Sequence, residues 1–223
     1  MSALSGLREV IVEAQTKLLT AAIEAKVRRF VPSDFCIDYR PIKPGTNRNL
    51  DLRREFSKVL DSSNIKVTSI LNGMFMDLLV DEAPVILKKQ GRIFFWGNAD
   101  QEMDFTTMEN TAEYTARAAL DDRAPRWLMI AGQTASMRDI QKIASRVFRE
   151  QFKLFRPGGL KGFKILIKVT KTFAPGKDET FPAWQGMQYL YDMLTGLPKF
   201  PRLDNSRYKQ IHWTKIEEVI APK

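Results

Sequence analysis

Three short stretches of this 223-residue chain carry side chains of a type and spacing suited to chemistry. The first is Pro32-Ser33-Asp34-Phe35, a hydroxyl and a carboxyl beside a residue that ends a strand. The second is Asn72-Gly73 with Phe75 just beyond: an amide next to a residue that lets backbone approach a ligand closely. The third is Arg53, a guanidinium at the edge of a helix face. Amide, hydroxyl and guanidinium groups can hold a polar ligand. Arginine stays charged near neutral pH, so Arg53 is a poor general acid or base. Pro-Ser-Asp and Asn-Gly are also good turn formers, so each stretch has an equally direct structural reading. Cys36 and His212 are the only residues of their kinds. No intrachain disulfide can form, and the pair cannot complete a zinc site, so no metal is expected. His212, beside Trp213, reads as a packed surface histidine rather than a base.

The elements that must position these residues alternate. Leu7 to Ala25 repeats apolar residues at helical spacing without Gly or Pro. Phe30 and Val31 follow in a strand that Pro32 ends. A second helix starts at Asn47 or Asn49, either of which can cap it, with Asp51 in its first turn. Leu52, Phe56, Val59 and Leu60 form its apolar stripe. Arg53 lies about 20° from Leu60 on a wheel of roughly 100° per residue, whereas Arg54 points away. Lys66 to Leu71 is a second strand, ended by Asn72-Gly73. Met74 to Leu87 reads as a helix broken at Pro84, and Ile93 to Trp96 as a strand. Asp104 to Thr107 reads as a turn before a helix from Met108 to Leu120, and Trp127 to Ala131 as a strand. Thr134 or Ser136 caps a helix through Arg149. Gly158-Gly159 opens one to Phe173, Glu179 to Leu194 is helical or partly so, and Trp213 to Ile220 ends the chain. Such alternation predicts a parallel α/β sheet, whose ligands bind outside the carboxyl ends of its strands. Ser33, Asp34 and Asn72 should therefore share one edge.

Hydrophobic residues at 44% and charged residues at 27% suit a soluble globular chain. No apolar run approaches the roughly 20 residues a span needs, and no secretory leader is seen. With a single cysteine, a reducing, cytoplasmic setting is expected. The net charge is +9. From Arg138 to Gly176 ten Lys or Arg stand against Asp139 and Glu150. Such an excess suits nucleic acid, an anionic membrane or an anionic ligand. Solvated helix faces explain it more simply, and neither a nucleic-acid nor a membrane partner is expected. Lys161, Lys164, Lys168 and Lys171 line one face of the last long basic helix, opposite Phe163, Leu166 and Thr170. The composition shift after residue 134 divides the chain softly into regions 1–133 and 134–223.

Several of these pieces carry a family likeness: Arg28-Arg29-Phe30-Val31-Pro32-Ser33-Asp34-Phe35, Asn64 to Ile70, Asn72-Gly73-Met74-Phe75-Met76, and Asp104 to Met108. Together they resemble the NmrA-like family of atypical short-chain dehydrogenases, which includes isoflavone-reductase-like enzymes. The likeness covers nearly the whole chain. It implies a Rossmann-like parallel sheet over 1–133, with a smaller, mostly helical substrate region over 134–223. It implies NADP or NAD as cofactor and, in intact form, reduction of a small carbonyl or conjugated organic substrate. Some members instead sense the dinucleotide and regulate a partner. Cofactor contacts are implied at Ala3 and Leu4 (the tail of the fourth strand), at Pro32, Ser33, Asp34 and Phe35, and at Asn72, Gly73 and Phe75. The catalytic lysine position of the isoflavone-reductase-like enzymes falls on Arg53. No G-x-G-x-x-G occurs in these residues, so the amide cradle for a pyrophosphate is not encoded in them. The resemblance thus implies an N-terminally truncated sheet that binds dinucleotide weakly. Its Arg28–Val31 strand has an open edge that invites self-association.

Overall fold

The computed structural model describes residues 1–81 and 83–222. A π-helical stretch, Glu9–Ala14, runs into α1 (Gln15–Glu24). β1 (Arg29–Phe30), α2 (Arg48–Asp61), β2 (Lys66–Val67) and β3 (Ser69–Leu71) follow. Next come β4 (Met74–Phe75), α3 (Leu78–Asp81), β5 (Ile86–Leu87), β6 (Arg92–Phe94), β7 (Met103–Thr106) and α4 (Met108–Leu120). The rest comprises β8 (Trp127–Met129), β9 (Gln133–Ala135), α5 (Met137–Val147), β10 (Lys153–Phe155), α6 (Leu160–Phe173), α7 (Ala183–Leu194) and α8 (Ile216–Ile220).

The central sheet is parallel. β2 pairs with β1, and β3 pairs with β8. Thr68 joins β2 to β3 and donates its N–H to the Phe30 carbonyl at 3.1 Å, so the two form one strand between its neighbours. Side chains alternate across this sheet with the period of two that a strand imposes. Phe30 and Val67 face Leu19, Phe56 and Leu60 of α1 and α2. Val31, Ile70 and Leu128 face Tyr114 and Ala118 of α4. Cover on both faces is what a parallel sheet requires. The largest core cluster runs from Cys36 to Ile220 and joins side chains from both sides of residue 133. At the edge expected to be open, the Ser2 N–H donates to the Val31 carbonyl at 2.8 Å.

The structure corrects five local expectations. Met74–Leu87 is not a broken helix. Met74 and Phe75 pair in parallel with Phe105 and Thr106, leaving only the short α3 before Pro84; Glu82 lies outside the described residues. Asp104 to Thr106 is likewise strand rather than turn, and Thr107 caps α4 by accepting the Asn110 N–H. Thr134 sits in β9, so Ser136 caps α5 in a capping box with Asp139. Arg54 does not point away: its guanidinium donates to the carbonyls of Tyr39 (2.5 Å) and Ile42 (2.8 Å), tying down the loop before α2. On α6 the inward residues are Phe163 and Ile167, and Leu166 is exposed.

Candidate functional site

The strand ends β1, β3 and β8 lie side by side, and three of the predicted stretches meet there. Thr106 at the end of β7 joins them: its Oγ1 donates to the Asn72 carbonyl (2.7 Å) and the Ile130 carbonyl (3.1 Å). The Asn72 N–H donates to the Cys36 carbonyl at 3.0 Å. Its backbone is thus fully used, yet neither side-chain atom, Oδ1 nor Nδ2, has a protein partner, although the residue is fully buried. An amide buried without partners is costly and uncommon.

Gly73 follows at φ +68°. A Cβ there would stand 2.1 Å from the Asp104 carbonyl oxygen. The close approach that demands glycine is therefore made by β7. Phe75, in β4, is half-buried.

On β1's side, Pro32, Ser33 and Asp34 are buried and Phe35 is half-buried. Ser33 spends its polar groups inside the chain. Its N–H donates to Gln15 Oε1 (3.0 Å) and its hydroxyl to the Leu4 carbonyl (2.6 Å). Ala3 and Leu4 are exposed, and the Leu4 carbonyl accepts this bond from Ser33. Asp34 accepts from Tyr39 Oη at 3.4 Å. Burial raises its carboxyl above the usual range, opposed by Ser69, Arg53, Arg126 and Tyr39.

Arg53 reaches this cluster from α2. Asn47 caps that helix by accepting the Leu50 N–H, and Arg53 follows nearly two turns on. It is 9% exposed. Its Nη1 donates to the Asn49 carbonyl (3.2 Å), while Nε has no partner. Burial works against its charge, but Tyr189, Cys36, Asp34 and Tyr39 raise its pKa. Arg53 is a fixed cation. Burial pushes the Cys36 thiol up to about 12 and the Tyr189 hydroxyl up to about 12, so neither ionises near neutral pH.

Sequence reasoning missed two groups at this edge. Asp104, 4% exposed, accepts from Lys199 Nζ (2.9 Å), Thr134 Oγ1 (2.6 Å) and the Phe200 N–H (2.8 Å). Lys199 and Asp104 line a narrow cleft with Ile37, Gly73, Met193 and Pro198. Gly196 and Pro198 signal a turn before Lys199, but nothing local marks a partner so distant in sequence. The second group joins α2 to α7. Asn47 donates to Asp192 (2.8 Å) and accepts from Gln185 (2.7 Å). Burial pushes the Asp192 carboxyl up to about 6, against the Asn47 hydrogen bond. The His212 side chain is exposed near Glu218. Lys43 is exposed and Tyr39 is buried against Trp127.

An open concavity of about 460 Å³ is lined by none of the strand-end residues. Of its charged groups, Asp100 and Arg138 pair with each other, and Arg156 lines it as well. Among the described residues, no group of three or more His, Cys, Asp or Glu could hold a metal, and no helix is long and apolar enough to cross a membrane.

Residues 3–159 match the model of the NmrA-like family. The chain is 30% identical over 141 residues to an NmrA-like family domain-containing oxidoreductase of Gibberella moniliformis, which covers 61% of this chain. It spans about half (46%) of that relative's length. Two solved structures share the fold. One, described as AtPrR2 with NADP+ and (+)pinoresinol, is 19% identical with a TM-score of 0.77, covering 98% of this chain and 73% of that one. The other, a ternary complex of leucoanthocyanidin reductase from Vitis vinifera, is 14% identical with a TM-score of 0.73, covering 93% and 72%. These likenesses agree with the Rossmann-like sheet expected from the sequence.

Proposed function

The chain belongs to the NmrA-like family, and on that premise we propose that it forms one wall of a nicotinamide-dinucleotide pocket in an NAD(P)H-dependent reductase of a small carbonyl or conjugated substrate. One observation carries this reading: the unpartnered amide of Asn72, buried at the carboxyl end of a parallel sheet, where ligands of such sheets bind. An amide with free donors and acceptors fits a carboxamide or ribose hydroxyl. The Arg53 Nε, also buried and unpartnered, fits a phosphate or a substrate oxygen. The dinucleotide, when bound, supplies the hydride. The chain's part is to orient it and to stabilise negative charge developing on a substrate oxygen through the fixed Arg53 cation. Ser33 shapes the wall rather than touches the ligand, because its polar groups are spent internally. A cytoplasmic setting belongs to the same reading.

Arg53 favours a second reading. A lysine can give up a proton near neutral pH and this arginine cannot, so a dinucleotide sensor without turnover fits that position as well.

Titrating NADPH against the chain tests the first step. Weak binding is expected, because no glycine-rich amide cradle occurs in these 223 residues. Fused behind the glycine-rich half of an NmrA-like protein, the chain should bind at least about tenfold tighter, since helix N-terminal amides then hold the pyrophosphate. Oxidation of NADPH with carbonyl substrates by that fusion supports the reductase. Binding without oxidation supports the sensor, and no binding refutes both.

A further inference from the structure

Helix α6 carries three stripes. Phe163 and Ile167 are buried, with Phe163 stacked on Trp96 at 5.1 Å. Lys161, Lys164, Lys168 and Lys171 make a second stripe, all exposed. The third is apolar and faces water: Ile165 is 63% exposed, Phe173 83%, and Leu166 and Val169 are exposed as well. Phe181, in the link to α7, is 58% exposed. At helical spacing these four α6 residues form one continuous strip. Single exposed apolar side chains are ordinary, but a contiguous patch marks an interaction surface.

Its charge narrows the occupant. From Gln151 to Lys177 the sequence carries seven Lys or Arg and no Asp or Glu; Asp178 and Glu179 stand just beyond. The ion pairs that lysines make among the described residues are at Lys142 and Lys199, not on α6. Lys171 lies 4.7 Å over the Trp184 ring. The lysine stripe adjoins the apolar stripe, and its flexible stems allow ammonium groups to reach outward beside buried aliphatic carbons. A second copy of the chain is a poor occupant, because a two-fold contact would set these lysines against themselves. Nucleic acid would place phosphates on Ile165 and Val169.

The geometry points to an anionic membrane surface: α6 lies in the lipid interface, with Ile165, Leu166, Val169 and Phe173 among acyl chains and its four lysines on headgroup phosphates. An apolar face bordered by lysines is the pattern of a helix that lies on a bilayer rather than crossing it. The placement departs from the sequence-based expectation of merely solvated lysines, since that expectation put Leu166 on the buried side.

The test is co-sedimentation of the 223-residue chain with vesicles of phosphatidylcholine alone and of an equal mixture with phosphatidylserine. Binding to the mixed vesicles is expected, falling with added salt, with little binding to phosphatidylcholine. I165N/V169N/F173S should lower binding at least about tenfold through lost apolar insertion, with an unchanged circular dichroism spectrum because these side chains are exposed. K164E/K168E should lower it on mixed vesicles only. Cys36 is buried, so in F173C a polarity-sensitive thiol dye reports on position 173, and its emission should shift to the blue on mixed vesicles. Absence of binding to mixed vesicles, or binding unaffected by both sets of substitutions, overturns the proposal. So does a dimer in solution that the apolar substitutions dissociate, or tighter binding to duplex DNA than to vesicles.

Discussion

At the carboxyl end of the sheet, Asp34, Asp104 and Arg53 are charged residues placed inside the protein. On the outer side of α6, Ile165 and Phe173 are apolar residues placed in water, next to unpaired lysines. Each region reverses the usual distribution, and each reversal has a different remedy. Asp104 is answered by Lys199, Thr134 and Phe200 from distant segments, whereas Arg53 Nε and the Asn72 amide keep polar atoms unspent. Among the described residues nothing covers the apolar strip of α6, and that face is the one proposed to meet a partner. The proposed ligand site and the proposed surface site thus lie on separate elements, and substitutions in one should leave the other intact.

The largest break in that comparison should come from Gly73→Ala. A positive φ and a Cβ 2.1 Å from the Asp104 carbonyl should cost about 4 kcal/mol, read as a lower urea midpoint. The α6 surface should not respond except through global unfolding. Asp104→Ala comes next. It strands the Lys199, Thr134 and Phe200 donors and should cost about 2 kcal/mol, less than for a fully buried pair because Lys199 is partly exposed.

Asp192→Asn should work in the opposite direction. Burial raises its folded pKa to about 6, above the usual carboxylate range. The neutral form is favoured on folding, so its contribution to stability is complete below pH ~4 and is lost as pH rises through ~6. The substitution should therefore stabilise the protein by about 2 kcal/mol at pH 8 and by nearly nothing at pH 4. Thermal melts at the two pH values check the sign. The smallest effect belongs to the outer face: Lys164→Gln with Lys168→Gln should change stability by less than about 0.5 kcal/mol, because neither makes an ion pair among the described residues.

Much of the scaffold was legible because its signals are local. Asn47 and Ser136 are strong helix caps, and both cap their helices in the structure. The apolar repeats of α1, α2 and α4 lie at helical spacing, and Pro32 and Asn72-Gly73 end strands as turn formers should. What escaped is set by pairing across the chain. β4, β5, β9 and β10 are two or three residues long, too short for periodicity to register. Asp104 looked like a turn residue because its partners lie 30 and 95 residues away. Arg54 looked solvent-facing because a helical wheel does not include the Tyr39–Ile42 loop that folds over it. At the site, Asn72 and Arg53 were legible as residue types. That both would be buried with unspent polar atoms, while Ser33 spent its own on Leu4 and Gln15, depends on tertiary contacts.

Heteronuclear NMR of the 223-residue chain titrated with NADPH tests the strand-end pocket most directly, since it registers weak binding residue by residue. The Asn72 side-chain amide, the Gly73 N–H and the Arg53 Nε–H should shift together and saturably. Shifts confined to the Gly97–Asp100 and Arg138 concavity, or none at any NADPH concentration, would contradict the assignment.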